Sequence, residues 1–213
     1  MFRCASLSSS MTGDTPSLIP RAAVSVVVRW YDSSIPVVNN DTSSSSSSSS
    51  SPRWLLVQRG REPNKGMWSF PGGKIEAGEG TLDAAKRELF EETRLVAQSH
   101  PIIDEASVAQ SNYNLKWHNF GAFACSDSIH HPRQEGEGSS NTIGFHYVIS
   151  QCFVEVVASS MPIITASDDA SDARWWCAEE IQLAEESGKV TSGVWRVLER
   201  SEMLYSKGLL ECD

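Results

Sequence analysis

A single-domain α/β fold is what the sequence predicts, and three observations predict it. The chain of 213 residues has the size of one domain with tails, long enough to bury a core without disulfides or metals as staples. Short runs of β-branched and bulky apolar residues recur along it, as strands require. Two stretches, one central and one terminal, instead space their apolar residues at helical intervals.

In chain order, Met1–Asp14 carries Arg3, several serines and no acid before Asp14. It reads as part of a frayed tail over residues 1–19, with only a faint likeness to an organellar transit segment. Ala22–Trp30 (AAVSVVVRW) and Arg53–Arg59 (RWLLVQR) read as strands. Between them, Tyr31–Pro52 holds nine consecutive serines, Ser43–Ser51. Such a tract has no apolar surface to offset its ordering entropy, so residues 40–52 are expected to form a disordered insertion in a hairpin connection.

Pro71-Gly72-Gly73 predicts a tight loop. A helix follows from Thr81, with Leu82, Ala85 and Leu89 on one apolar face, Thr81 as N-cap and Asp83 suited to the positive end of the dipole. Trp117–Cys125 and Thr142–Ala158 look strand-like and flank a polar loop, Ser126–Asn141. His130 and His131 in that loop lack further ligands at metal spacing and are expected to be solvated. Ala173–Cys177 reads as a short strand and Ala178–Glu186 as a helical turn. Thr191–Lys207 reads as a helix with Val194, Val197, Leu198 and Leu204 at helical spacing, stopped by Gly208. The domain is thus expected over residues 20–207, with 208–213 as a tail.

Lys and Arg number 18 against 27 Asp and Glu, a formal charge of −9. This argues against a nucleic-acid coat, because non-specific duplex binding draws on Lys and Arg displacing counterions. A polyanionic ligand would need bridging cations. The longest apolar runs, Ala22–Val28 and Phe153–Ala158, fall far short of the roughly 20 residues that cross a bilayer, so no membrane partner is expected. The five cysteines are odd in number and show no C-x-x-C spacing. That points to a reducing, cytoplasmic location with Cys152 and Cys177 as small core hydrophobes.

Chemistry concentrates in Gly72–Leu95. Glu88, Glu91 and Glu92, at i, i+3 and i+4, bring three carboxylates to one patch of a helix. Mutual repulsion makes such a patch costly unless something positive sits there, and Arg87 alone cannot neutralise three acids. Oxygen-only ligands suit Mg²⁺ or Mn²⁺, which also accept phosphate oxygens. The helix is therefore expected to be a cation platform for a diphosphate.

Gly73, five residues, Glu79, seven residues, then Arg87-Glu88-Leu89-Phe90-Glu91-Glu92-Thr93-Arg94-Leu95 closely resembles the Nudix box of the MutT-like hydrolases. That signature is Gly-x5-Glu-x7-Arg-Glu-U-x-Glu-Glu-x-Gly-U, with U a bulky aliphatic. The lead-in Gly66-Met67-Trp68-Ser69-Phe70-Pro71 is similar to that of many members, and the likeness runs from about Ala22 to about Tyr205. One position departs: Arg94 stands where the box has its last glycine. A non-glycine residue in the left-handed conformation costs about 1 kcal/mol, which touches the helix terminus and no ligand.

The resemblance implies an α/β/α sandwich with a mixed central sheet, and a pyrophosphohydrolase acting on a nucleoside diphosphate linked to another group. It implies Glu88, Glu91 and Glu92 as cation ligands, the Gly73 carbonyl and Glu79 near them, and Arg87 orienting the carboxylates. The general base stays open among Glu92, Glu135 and Glu137. His146-Tyr147-Val148 and Ser167-Asp168-Asp169-Ala170-Ser171-Asp172-Ala173-Arg174-Trp175 look like ADP-ribose pyrophosphatase-like members. Tyr113 instead resembles a tyrosine of diadenosine polyphosphate hydrolases, although a strand tyrosine ordinarily serves packing.

On the substrate side, Trp68 and Gly72 beside the phosphate loop and Arg59 at a strand end are the candidates. Arg61 is the alternative to Arg59, either being able to pair with a phosphate or ribose group. Trp68, Phe70, Trp117 and Phe120 could stack on a base, or serve the core. Expected partners are a small nucleotide substrate and Mg²⁺ or Mn²⁺; a homodimer, oxidised nucleoside triphosphates as substrates, and a catalytically silent nucleotide-binding module remain open alternatives.

Overall fold

The computed structural model describes residues 19–32, 34, 51–95, 113–131 and 143–212. Residues 1–18 of the expected tail, most of the serine tract, Glu135 and Glu137 lie outside these residues. Strand β1 (Arg21–Asp32) pairs in parallel along its whole length with β6 (Phe145–Ala158), from Arg21↔Tyr147 to Asp32↔Ala158. β2 (Arg53–Arg59) meets β1 antiparallel only at Arg29↔Trp54 and Trp30↔Arg53, then diverges to pair with β3 (Trp68–Ser69) and β7 (Ala170–Trp176). β4 (Tyr113–Trp117) and β5 (Ala124–His130) add antiparallel to successive halves of β6, completing a mixed sheet.

The apolar run of β1 is buried from both sides, which explains why it does not alternate with polar residues. Val24, Val26, Val28 and Trp30 face α1 (Thr81–Thr93), where Ala84, Ala85 and Leu89 lie with them in one core. Val27 faces the other way with Phe153, towards α2 (Ala178–Glu186) and α3 (Val194–Ser206), which contribute Ile181, Ala184, Val194 and Leu198. Helices on both faces of one mixed sheet make the expected α/β/α sandwich. Arg29 ties the layers together: its Nε lies 3.0 Å from Glu202 of α3, and its Nη1 lies 3.3 Å from Glu155 of β6. Tyr205 donates to the same Glu155 at 2.5 Å.

Several local expectations are corrected. Three helices form where one central helix, one terminal helix and a turn were expected, because Ile181 and Ala184 give Ala178–Glu186 an apolar side to bury. The N-cap of α1 is Gly80, with Thr81 as the first helical residue and no side-chain cap. Of Trp117–Cys125, Trp117 ends β4 and Ala124–Cys125 open β5, with a turn between them. Ser126–His130 of the expected polar loop belongs to β5, where ladder bonds to β6 outweigh its polar composition. His130 is therefore a strand residue, exposed and stacked on Phe145 with centroids 4.8 Å apart; His131 is exposed just beyond it. Cys152 is buried as expected, but Cys177 sits half-buried at the start of α2 as its N-cap. Beyond α3 the chain does not leave the domain: Leu210 is buried in the second core, and Cys212 bridges to His118.

Candidate active site

Where β2 turns away from β1, the open edge of β1 is taken by the Pro71–Ile75 segment. Val26 N–H donates to the Pro71 carbonyl at 2.8 Å and Val24 N–H to the Gly73 carbonyl at 2.9 Å, while Ile75 N–H donates to Ala22 O at 3.2 Å. The docking on β1 needs the first glycine, and the seating of the Glu88 carboxylate needs the second. A Cβ on Gly72 would lie 2.2 Å from the Val24 carbonyl oxygen, and one on Gly73 would lie 2.4 Å from Glu88 Oε1. The loop therefore presses its backbone against the carboxylates of α1.

α1 presents the acids as the spacing predicted, but to unequal depth. The Glu88 side chain is 12% exposed against 40% for that of Glu91, and Glu92 is buried. Arg87 is the hub. Its Nη1 donates to Glu88 at 2.9 Å and Glu91 at 3.0 Å, its Nε and Nη2 grip Glu79 at 2.8 and 2.9 Å, and Nη2 also reaches the Lys74 carbonyl at 3.0 Å. The Glu79 carboxyl is held down to about 2, chiefly by these Arg87 hydrogen bonds and then by the Glu76 N–H. Glu79 thus serves Arg87 first, and the Gly73 carbonyl already accepts from Val24.

Glu92 lies outside the reach of that hub. Burial pushes its carboxyl up to about 8, against the Gly72 N–H donating to Oε2 at 3.0 Å, with the charge of Glu88 raising it further. Glu88 is also raised, again first by burial, despite Arg87. Removing Arg87's charge by Arg87→Met should lower stability by about 1–3 kcal/mol, the cost of leaving several charged partners unmatched. A urea midpoint equal to wild type would sink this view of the hub.

The other candidates separate. Gly72 stands at the site through its N–H. Arg59 ends β2 with Nε on the Pro63 carbonyl at 2.9 Å, and its positive charge is felt by Glu92. Arg61 is exposed and pairs with Asp169 at 2.8 Å. Trp68, expected on the substrate side, is buried in the second core at 9% exposure. Trp176 packs edge-on against it at 5.2 Å, and the Arg174 guanidinium lies 4.9 Å from its ring centroid, so no open face remains for a base. Phe70 and Trp117 are core residues, Tyr113 packs against the first core, and Phe120 is exposed.

Two acids that sequence reasoning did not assign to the site belong beside it. Ser167 N–H donates to the Glu92 carbonyl at 3.1 Å, which brings Asp168 and Asp169, just before β7, to the C-terminal end of α1, and their charges add to the upward push on Glu88 and Glu92. Only the run Ser167-Asp168-Asp169 could have signalled them, and nothing in it states which acids it would meet.

Among the described residues no three His, Cys, Asp or Glu side chains are gathered into a ready cation site; Arg87 supplies the counter-charge. The residues nonetheless fit a hard divalent ion. The donors are all oxygen. The missing Cβ of Gly73 leaves room for the Glu88 carboxylate, and two buried acids carry raised affinity for protons that a cation could displace.

A NUDIX domain family model matches residues 48–194, more than half of the chain, and the chain belongs to that family. Among its relatives is mouse (Mus musculus) nucleoside diphosphate-linked moiety X motif 6, 39% identical over 77 residues, covering 36% of this chain and 22% of the relative. A putative nudix hydrolase 6 of Caenorhabditis elegans is 29% identical over 122 residues, covering 57% of this chain and 40% of the relative. The chain therefore spans well under half of these relatives.

Two solved structures share the fold. The C. elegans Ap4A hydrolase, in a binary complex, superposes with TM-score 0.55 at 14% identity, covering 88% of this chain and 98% of that one. The Francisella tularensis bifunctional NMN adenylyltransferase/ADP ribose pyrophosphatase, complexed with AMP and a Mn ion, gives 0.51 at 19% identity over 91% of this chain and 43% of that one.

Proposed function

We propose that the protein is a divalent-cation-dependent pyrophosphohydrolase that cleaves the diphosphate of a nucleoside diphosphate linked to another group, with ADP-ribose or a nucleotide sugar as substrate. The observation that carries this is the burial of Glu88 and Glu92 together against the Gly72–Gly73 backbone, in excess of the positive charge that Arg87 offers. Glu88, Glu91 and Glu92 would hold Mg²⁺ or Mn²⁺. Such an ion, when bound, neutralises phosphate charge and acidifies water.

The chain's own residues do the remainder. Arg87 fixes the rotamers of Glu88 and Glu91 from one side. Gly72 N–H holds Glu92 Oε2 and fixes the orientation of its carboxyl, which makes Glu92 the candidate for base work among the described residues. Arg59 contributes positive charge at the same end. Water adds across one P–O–P bond: its oxygen joins one phosphorus, and the bridging oxygen leaves with the other phosphate. Support for the ADP-ribose class comes from the sequence likeness of His146–Val148 and Ser167–Trp175, and the names of the relatives agree with the broader class.

The test is product identification from ADP-ribose, NADH, diadenosine tetraphosphate and oxidised nucleoside triphosphates in Mg²⁺ and in Mn²⁺. AMP together with ribose 5-phosphate from ADP-ribose is the expected result. Preferred cleavage of diadenosine tetraphosphate, or release of inorganic pyrophosphate from a triphosphate, overturns the substrate class. Nucleotide binding without turnover overturns the enzyme.

A further inference from the structure

Arg94 occupies the position at which the box has a glycine, yet it keeps a glycine's backbone: φ is 60° and ψ 11°, and its N–H donates to the Phe90 carbonyl at 2.9 Å. A side chain retained in the left-handed region costs stability, so its contacts matter. The guanidinium lies 5.2 Å from the Phe90 ring centroid and donates to the Ser167 hydroxyl.

Ser167 lies in the segment that closes over the end of α1. Thr165 N–H donates to Thr93 O and Ser167 N–H to Glu92 O, both at 3.1 Å, which satisfies two carbonyls the helix end leaves unpaired. Asp168 follows with φ 53°, and Asp169 O accepts from Gly60 N–H at 2.7 Å. The segment is thus anchored to the end of β2 and to the α1 terminus, and Arg94 supplies the one side-chain tie between α1 and Ser167 among these contacts.

We propose that Arg94 is a positioning residue, a strap that holds Thr165–Asp169 against the C-terminal end of α1 and so fixes the backbone that docks on the Glu92 and Thr93 carbonyls. The catalytic consequence rests on the pyrophosphohydrolase reading above; the strap itself does not. Charges set beside a reacting diphosphate act through their placement, and small displacements there are costly.

The experiment compares wild type with Arg94→Gly, Arg94→Lys, Ser167→Ala and the Arg94→Gly/Ser167→Ala double variant. It reads the thermal midpoint, amide exchange at Thr165, Ser167 and Ala170, and kcat and KM on the best substrate of the panel. Arg94→Gly relieves the left-handed strain, so its midpoint should hold or rise by roughly 2–4 °C. Exchange at those amides should nevertheless quicken about tenfold, the scale of one hydrogen bond lost, and kcat should fall about tenfold with KM within about twofold. Arg94→Lys should recover part of both, and the double variant should match Arg94→Gly.

Unchanged exchange in Arg94→Gly overturns the strap. So does a fall in midpoint with activity lost in proportion, which would mark a merely structural residue, and so do multiplying losses in the double variant. If wild type cleaves no nucleotide anhydride, the functional reading fails while amide exchange still decides the strap.

Discussion

Glu92→Gln should lower kcat by about 10²–10⁴-fold, the scale of a lost acid–base group, with the fold intact. Gln matches the shape of Glu and can still accept the Gly72 N–H through its amide oxygen, so the backbone contact at 3.0 Å survives. What disappears is the negative charge and the site for a proton. Near-wild-type turnover in the variant would end the catalytic assignment.

The same variant carries a pH signature in cation-free protein. The folded Glu92 carboxyl keeps its proton up to about 8, from an ordinary value of 4.5, because burial disfavours the charge. Between those values the folded state binds a proton that the unfolded chain has released, so this group's contribution to stability falls as pH rises. It is most favourable below the lower value and is lost by the upper one. Glu92→Gln has no such proton to lose, so its thermal midpoint should gain on wild type from about pH 5 to about pH 8. A constant difference across that range would show that Glu92 is not the buried acid described.

Gly72→Ala and Gly73→Ala should fail in different ways. The Gly72 Cβ would stand 2.2 Å from Val24 O and 2.8 Å from Ser25 Cα, both backbone atoms of a central strand that cannot step aside. The loop must leave β1, and the variant should lose about 3 kcal/mol or more, the class of effect that overpacking and a strained backbone produce together. The three atoms nearest a Gly73 Cβ would all belong to the Glu88 carboxylate, at 2.4–2.6 Å, the far end of a flexible side chain. That variant should fold with a near-normal midpoint and lose activity by about tenfold or more, because Glu88 is displaced from the cluster. Equal midpoints for the two variants, or an active Gly73→Ala, would contradict the docking described.

Periodicity and composition already specified the secondary frame. The unbroken apolar run Ala22–Trp30 demanded a strand covered on both faces, and the i, i+3, i+4 acids demanded one helix face, because both are properties of neighbouring residues. Strand β5 was not legible: Ala-Cys-Ser-Asp-Ser-Ile-His has no apolar face, and only the waiting edge of β6 makes it extended. Trp68 was misplaced for a related reason. A tryptophan beside a phosphate loop reads the same whether its indole faces a ligand or, as here, Trp176 and Arg174.

By itself, then, the sequence determined that three carboxylates share one helix surface after a glycine loop, and that this chain belongs with the family carrying that pattern. Only the tertiary structure decided how those acids differ: Glu79, Glu88 and Glu91 gathered on Arg87, Glu92 left buried on a backbone N–H, and the Ser167–Asp169 segment brought in from far along the chain to the Glu92 carbonyl. Spacing along a helix is local and can be counted. Desolvation and the approach of remote charges depend on what the rest of the fold places within a few ångströms, and no count along the chain contains that.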